Sequence, residues 1–199
     1  MSDTRAEFPA PAIFDQAVES IRAAVSRPEL VVTEIQAPGK LAPHAFALAA
    51  DLASQRHAPD AELGTGRFVL LYDPSMPDAW GGVFRVVCFA QAPLETDIGL
   101  DPFVADVAWS WLVDALDDRG ARYIAASGTA TKIISTGYGE LAAQGDGAQL
   151  EIRASWTPLD EAFGEHLRAW CDLLCTTAGL PPVSPGVVQL PVRRRSSRR

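Results

Sequence analysis

Residues 145–156 read GDGAQLEIRASW and contain the clearest strand pattern of the chain. Every second position of its second half is apolar: Leu150, Ile152, Ala154 and Trp156. Such alternation is typical of a β-strand with one face buried and the other in water. The Gly-Asp-Gly at residues 145–147 is a hairpin-type turn. The pattern therefore predicts an antiparallel pair with the strand before the turn.

Four further segments are predicted as strands because β-branched and aromatic residues dominate them. They are residues 30–35, 68–72, 83–90 and 123–135. In residues 83–90 almost every position except Arg85 is apolar, which is typical of a central strand buried on both faces. Hairpin-length turns join several of these segments, so the sequence predicts a mainly antiparallel sheet of about five strands.

Helical spacing of apolar residues predicts three amphipathic helices. The first covers residues 15–25 and the last covers residues 161–178. The middle helix is expected to open at Asp101 and Pro102, because aspartate is a good N-cap and a proline in the first turn loses no hydrogen bond. It is expected to stop at Gly120.

The predicted element order is α-β-(α)-β-β-α-β-β-α, where the bracketed helix is the Ala- and Leu-rich segment 43–54. Antiparallel strands with helices packed on one face define an α+β fold. The length of 199 residues suits one domain. We expect a single α+β domain over residues 13–182, between a disordered N-terminus of residues 1–12 and a flexible tail of residues 183–199.

Charge is distributed unevenly along the chain. The net charge is −8, yet the last seven residues hold five of the 17 basic groups and no acid. Residues 1–192 therefore carry 12 basic and 25 acidic groups, a formal charge of −13 that repels phosphate backbones. Nucleic acid or ribosome binding is expected only through the tail, whose candidate residues for an anionic partner are Arg193, Arg194, Arg195, Arg198 and Arg199.

Composition and cysteine usage favour a cytoplasmic protein without membrane insertion. No apolar stretch approaches the roughly 18 residues that a membrane helix needs. The three cysteines, a low and odd number, argue against a disulfide scaffold. The first dozen residues lack the basic and apolar regions of a signal peptide, so we expect a cytoplasmic location.

No motif indicates a cofactor, a resident metal or a catalytic nucleophile, and none of these is expected. Cys171 and Cys175 share a helix face, but zinc needs two further ligands, and a buried apolar role is the simpler interpretation. No Gly-x-Ser-x-Gly elbow is present, and the Gly-Thr-Gly at residues 64–66 precedes a strand and opens no helix.

A small enzyme of unknown reaction is the alternative hypothesis. Its site would require several polar residues from distant segments to converge. These residues are His44, Thr129, Thr131, Glu151 and Arg153.

The leading hypothesis is a non-catalytic protein-binding or adaptor module, with a homodimer among its expected assemblies. Trp111 belongs to the core stripe of the middle helix, so Trp109 is either an exposed partner anchor or wedged under a second element. Glu151 and Arg153 point to the same side of their strand and are predicted to form cross-strand ion pairs. Trp109, Glu151 and Arg153 are thus the candidate partner-binding residues.

Six segments carry a family resemblance: residues 27–30 (RPEL), 41–44 (LAPH), 66–74 (GRFVLLYDP), 107–112 (VAWSWL), 151–158 (EIRASWTP) and 169–175 (AWCDLLC). Together they resemble an actinobacterial protein family of unknown function, domain of unknown function three thousand, over about residues 13–182. The resemblance implies a bacterial cytoplasmic protein and no particular activity. Without the extra helix, the element order is also similar to that of small acidic secretion-chaperone-like proteins, which are dimers that bind other polypeptides.

Overall fold

Six β-strands build one sheet in the computed structural model, which describes residues 11–24, 27–53 and 64–180. The strands are β1 (Leu30–Ile35), β2 (His44–Leu52), β3 (Thr65–Tyr72), β4 (Phe84–Leu94), β5 (Tyr123–Thr136) and β6 (Asp146–Pro158). Their order across the sheet is β1-β2-β3-β4-β6-β5, and every neighbouring pair is antiparallel. The two edges of the sheet are therefore β1 and β5.

Four described α-helices pack on one face of this sheet, which we name the inner face. They are α1 (Ala12–Ala23), α2 (Thr96–Leu100), α3 (Val104–Asp118) and α4 (Phe163–Thr177), and a 3₁₀ helix spans Gly139–Gln144. The ring of Trp170 in α4 lies 5.8 Å from that of Phe68 in β3, and the ring of Phe14 in α1 lies 6.1 Å from that of Tyr72. The predicted α+β class with helices on one face is confirmed, with six strands instead of about five.

α4 is the central helix of the core. Trp156 in β6 donates its indole N–H to Nδ1 of His166 at 3.0 Å, and Trp170 donates to the backbone carbonyl of Phe89 at 2.9 Å. Both tryptophans are fully buried, and burial of an aromatic side chain contributes about 2–3 kcal/mol. The two hydrogen bonds fix the direction of α4 across the middle of the sheet.

The predicted helix over residues 43–54 is wrong, because β2 (His44–Leu52) occupies this segment. Alanine favours an isolated helix since it loses no side-chain entropy. Here Phe46, Leu48 and Ala50 alternate onto the inner face, and the segment pairs with β1 and β3. The positions between them on the opposite face are alanines instead of polar residues, which hides the period of two that marks a strand.

The middle helix begins later than predicted. Oδ1 of Asp101 accepts a hydrogen bond from the backbone N–H of Phe103 at 2.8 Å, and α3 starts only at Val104. Asp101 therefore closes a turn before the helix and does not cap it. The predicted stop agrees with the structure, since Gly120 adopts a φ of 63° just after α3 ends.

The connection between β5 and β6 is longer than the predicted tight turn. Thr136 pairs with Asp146, so residues 137–145 form the connection and include the 3₁₀ helix. Gly145 adopts a φ of 75° at its end, where residues with a Cβ atom are strained. The glycine signal therefore located the end of the connection correctly.

The chain termini fall largely outside the described residues. The predicted disordered N-terminus, residues 1–12, overlaps the description only at residues 11–12, and α1 begins at Ala12. The predicted tail, residues 183–199, lies wholly outside it. Both predictions remain predictions.

Candidate protein-binding face of the sheet

The face of the sheet opposite the helices, which we name the outer face, is the candidate functional surface. Val69 in β3 pairs with Ala47 in β2 and Val87 in β4, so apolar side chains run across three central strands. An antiparallel sheet face that meets water normally carries polar side chains. No described helix packs here. We define the outer patch as the half-buried residues Ala45, Ala49, Val69, Val87 and Phe89.

Two arginines flank Phe89 on the neighbouring strands. Phe89 pairs with Arg67 in β3 and with Arg153 in β6. Arg67 is exposed and makes no ion pair with any described residue. The outer patch therefore ends in a row of one aromatic ring between two accessible guanidinium groups.

Arg153 is held in place by two contacts. Its Nε donates to Oε1 of Glu151 at 2.6 Å, and its guanidinium carbon lies 5.1 Å from the centroid of the Phe89 ring. The hydrogen bond to Glu151 raises the pKa of Arg153. The pair forms within one strand and not across strands, which corrects the predicted pairing. The Arg153 side chain keeps 65% of its surface exposed, so an incoming partner can reach it.

At the other end of the outer face, a buried guanidinium group holds a β-bulge together. Arg85 donates from Nη1 to the carbonyl of Ala125 at 2.9 Å and from Nη2 to Oγ of Ser155 at 2.7 Å. Burial lowers its pKa, and no described carboxylate pairs with it. The bulge lies between Ile124 and Ser127, where Ala125 adopts a φ of 52°. Arg85 thus supplies the hydrogen bonds that the interrupted ladder of β5 lacks.

The residues of the alternative enzyme hypothesis come together only in part. Thr129 pairs with Arg153 and Thr131 with Glu151, so these four lie side by side on the outer face. His44 packs among aromatic rings of the inner face, with β3 and β4 between its strand and β6. The imidazole therefore cannot serve as a base for the four residues on the outer face.

Trp109 lies on the inner face, away from Glu151 and Arg153. A Cβ atom built on Gly128 in β5 would lie 2.8 Å from Cζ3 of Trp109, so the half-buried indole packs directly on the glycine. This geometry corresponds to the wedged alternative. Trp111, which the periodicity places in the core, is also half-buried. The three candidate partner-binding residues therefore do not share one surface.

The buried cysteines and histidine belong to the core. Burial raises the pKa of Cys88, Cys171 and Cys175 to about 12 each, so the thiols stay protonated. Burial lowers the pKa of His166 to about 4, and its neutral Nδ1 accepts the indole proton of Trp156. Within the described parts of the chain, no group of three or more His, Cys, Asp or Glu is placed to hold a metal ion.

The basic tail lies outside the described residues. This applies to all five of its candidate residues, Arg193, Arg194, Arg195, Arg198 and Arg199. Its predicted binding to nucleic acid or another anionic partner therefore stays a prediction.

The sequence contains a signal for the outer patch that no single-residue motif shows. Residues 83–90 are apolar on both faces, which predicts burial on both faces. The structure covers the inner face with helices and leaves Val87 and Phe89 half-buried on the outer face. The outer patch is therefore identified by the difference between a sequence that is apolar on both faces and a structure that covers only one face with helices.

Together these features define an α+β protein with one helix-covered sheet face and one apolar face without a helical cover. Residues 10–188 match the model of a family described as protein of unknown function (DUF3000), and the chain belongs to that family. No curated protein and no solved structure matches the chain. Among the described helices, none is long and apolar enough to cross a membrane.

Proposed function

We propose that this protein is a non-catalytic protein-binding module that holds a partner protein on the outer patch. One observation carries the proposal: Val69, Val87 and Phe89 lie half-buried on the outer face of β3 and β4, while the described helices cover only the inner face. Burial of apolar surface contributes about 25 cal/mol per Å². A partner that covers Val69, Val87 and Phe89 therefore gains free energy from the contact.

The row around Phe89 supports a particular chemistry for this partner. Arg67 and Arg153 lie on either side of the ring, whereas residues 1–192 as a whole carry a formal charge of −13. Guanidinium groups form strong, often bidentate hydrogen bonds with carboxylates. The surface suits an apolar segment of a partner protein that also carries an acidic side chain. The apolar residues would cover the patch, and the carboxylate would lie against the arginines.

A cytoplasmic location is part of the same proposal. All three cysteines are free and buried, which suits a reducing compartment. A homodimer is a separate hypothesis, which rests on the β5 edge and on no residue of the outer patch. Neither requires the basic tail.

A photo-crosslinking amino acid at Val87 tests the proposal in the cells that make the protein. Ile13 is the matched control position, because it is an exposed apolar residue on α1, far from the outer face. We expect position 87 to give an adduct with a different protein that position 13 does not give. Identical adducts at both positions, or no protein adduct at position 87, would overturn the proposal.

The charge of the partner is tested by reversing the two arginines. In the Arg67→Glu/Arg153→Glu double variant, repulsion should lower the yield of the adduct at position 87 at least tenfold. Arg119→Glu is not a suitable control, because Arg119 pairs with Asp172 in the helical layer. Lys40→Glu, an exposed change outside the strands, is the control and should leave the yield unchanged. Equal loss in both variants would contradict the role of the arginines.

A further inference from the structure

The edge strand β5 is long, and within the described part of the chain no strand pairs with its free edge. It spans 14 residues, Tyr123–Thr136, and its one neighbouring strand among the described residues is β6. The β-bulge lies near its start, so residues 127–136 form a regular ladder. An exposed strand edge of this length is a template for pairing with another chain.

Exposed apolar side chains are frequent in β5 and in the segments that precede and follow it along the chain. Of the 14 exposed large hydrophobic residues in the described chain, nine fall between residues 98 and 141. They are Ile98, Leu100, Phe103, Val107, Ile124, Ile133, Ile134, Tyr138 and Leu141. Clusters of this kind on a soluble protein mark interaction sites.

Contacts between β5 and the segment before α3 show that some of these exposed residues lie close together. Lys132 in β5 donates from Nζ to the carbonyl of Asp101 at 2.8 Å, which places the turn before α3 over the strand. A Cβ atom on Gly99 would lie 3.1 Å from Cδ1 of Ile134. Leu100 and Phe103, 62% and 67% exposed, therefore lie beside the inner face of the β5 edge.

Three usual protections of an edge strand, a proline, a short length and a bulge, are missing from the regular part of β5. Residues 127–136 contain no proline, and Lys132 is their only charged residue. Its ammonium group is already bound to the carbonyl of Asp101. The edge is therefore suited to receive a strand.

We infer that a second copy of this chain occupies the edge, with its β5 antiparallel to the first around a two-fold axis at Thr131. A two-fold axis perpendicular to the sheet keeps the same face of both copies on one side, so directly opposed residues must belong to the same face. The axis therefore passes between one residue and the same residue of the second copy. An axis at Thr131 uses the regular segment 127–135 over its full length. The result is one continuous twelve-stranded sheet.

The residue pairs of this register favour a second copy over a different chain. Ser127 would face Ser135 of the partner copy and Thr131 would face its own counterpart, and hydroxyl pairs across strands stabilise pairing. Lys132 would face Ala130 and not its own counterpart, which avoids two like charges directly opposite each other. The side chains of the strand are thus compatible with pairing to a second copy of itself.

The same two-fold axis also places the helical layers and the outer patches of the two copies next to each other. The helical layers lie on the same side of the joined sheet, so Leu100 and Phe103 of each copy approach the same central seam. The two outer patches likewise lie on one common face. This inference is independent of the proposed function, because it uses the edge and not the outer patch.

Disulfide trapping tests both the dimer and its register. In Thr131→Cys the two introduced residues lie directly opposite, with Cα atoms about 4.5–5.5 Å apart, which permits a disulfide. Thr129→Cys is the matched control on the same strand and face, and its two copies would be displaced by four residues, about 14 Å along the strand. The three native cysteines are buried and do not compete.

We expect the native full chain to have the mass of two chains by light scattering at micromolar concentration. We also expect mild oxidation to give at least ten times more covalent dimer for Thr131→Cys than for Thr129→Cys. A monomeric mass, or equal crosslinking of the two variants, would overturn the inference. If the chain is monomeric yet the adduct at position 87 persists, the inference fails while the proposed function stands.

Discussion

The two edges of the sheet differ in how they meet solvent. β1 (Leu30–Ile35) is six residues long, and its Glu34 pairs with Arg22 of α1 at 3.0 Å. β5 also has one charged residue, Lys132, but it is more than twice as long and has exposed apolar side chains such as Ile133 and Ile134. A short edge strand is protected from pairing, whereas a long and mostly neutral one invites it. We therefore expect β1 to end the sheet and β5 to pair with a second copy.

The edges also differ in how they are attached to the sheet. At β1, an exposed ion pair joins Glu34 to Arg22 of α1, and the buried Arg27 just before the strand pairs with Glu29 at 2.7 Å. At β5, the buried guanidinium group of Arg85 donates only to neutral oxygens of β5 and β6. Both edges therefore have a buried arginine nearby, but only Arg85 lacks a carboxylate partner among the described residues.

The largest expected effect comes from a charge placed on the β5 edge. Ile133→Lys puts a lysine on each side of the seam, and partial burial of two ammonium groups at about 2 kcal/mol each should weaken dimerisation about a thousandfold. Val31→Lys makes the same type of change at the exposed β1 edge and should leave the dimer intact. Sedimentation equilibrium measures both, and equal weakening would remove the distinction between the edges.

Removal of the buried anchor should destabilise the protein strongly. Arg85→Met leaves the carbonyl of Ala125 and the hydroxyl of Ser155 without their donor, and buried unsatisfied groups cost about 1–3 kcal/mol each. We expect a loss of about 3 kcal/mol in the free energy of unfolding, measured by urea denaturation. A loss below that of the surface pair at β1 would show that Arg85 does not anchor the strand.

Lowering the pH should decrease the free energy of unfolding of the whole sheet and not of one edge, because His166 packs under the centre of the sheet. The pKa of His166 is about 4 in the folded chain and near 6.5 when unfolded, so the unfolded chain binds the extra proton between these values. The free energy of unfolding therefore has its full value above pH 6.5. It falls by up to about 3 kcal/mol as the pH decreases towards 4.

Two histidine variants isolate this effect in urea titrations across that pH range. His166→Gln keeps an acceptor for the Trp156 indole but does not titrate, so the decline in stability should flatten. His44→Gln leaves His166 in place and should retain the decline. If the decline persists in His166→Gln, another group is responsible for it.

A smaller effect is expected from a methyl group under Trp109. In Gly128→Ala the new Cβ would collide with the backbone carbonyl of Arg153 and with the Trp109 ring, so we expect a loss of about 2 kcal/mol. Gly39 follows β1, and a Cβ atom there meets nothing within 4 Å, so Gly39→Ala should change stability little. Thermal unfolding of the two variants compares them, and equal losses would contradict the packing of the indole on β5.

The smallest effect is expected from the exposed ion pair between Arg22 and Glu34 at β1. Arg22→Met removes an exposed ion pair with Glu34, and such pairs contribute about 0–1 kcal/mol. The free energy of unfolding should therefore fall by less than 1 kcal/mol, with the dimer unaffected. A loss comparable with that of Arg85→Met would mean that the two edges are held equally.

Sequence patterns predict the fold best where the two faces of an element differ in polarity. The alternation of apolar residues with Glu151 and Arg153 predicts β6, and Gly120 predicts the end of α3 correctly. The alternation is hidden in β2 because alanines on its outer face remove the contrast in polarity, and strand pairing with β1 and β3 overrides their helical preference.

The candidate site was harder to predict because it depends on neighbours across strands. Arg67 and Arg153 are far apart in sequence and flank Phe89 only through the register of three strands. Periodicity along one segment cannot supply that register. The self-complementary register of β5 likewise becomes visible only once β5 is known to be an edge.

Hydrogen exchange of the full chain, measured by mass spectrometry at high and low protein concentration, shows whether β5 pairs with a second copy. We expect the amides of residues 127–135 to exchange slowly at high concentration and faster on dilution, while those of β1 exchange at the same rate in both. Exchange in β5 that is independent of concentration, or as fast as in β1, would contradict the claim that β5 is an interface.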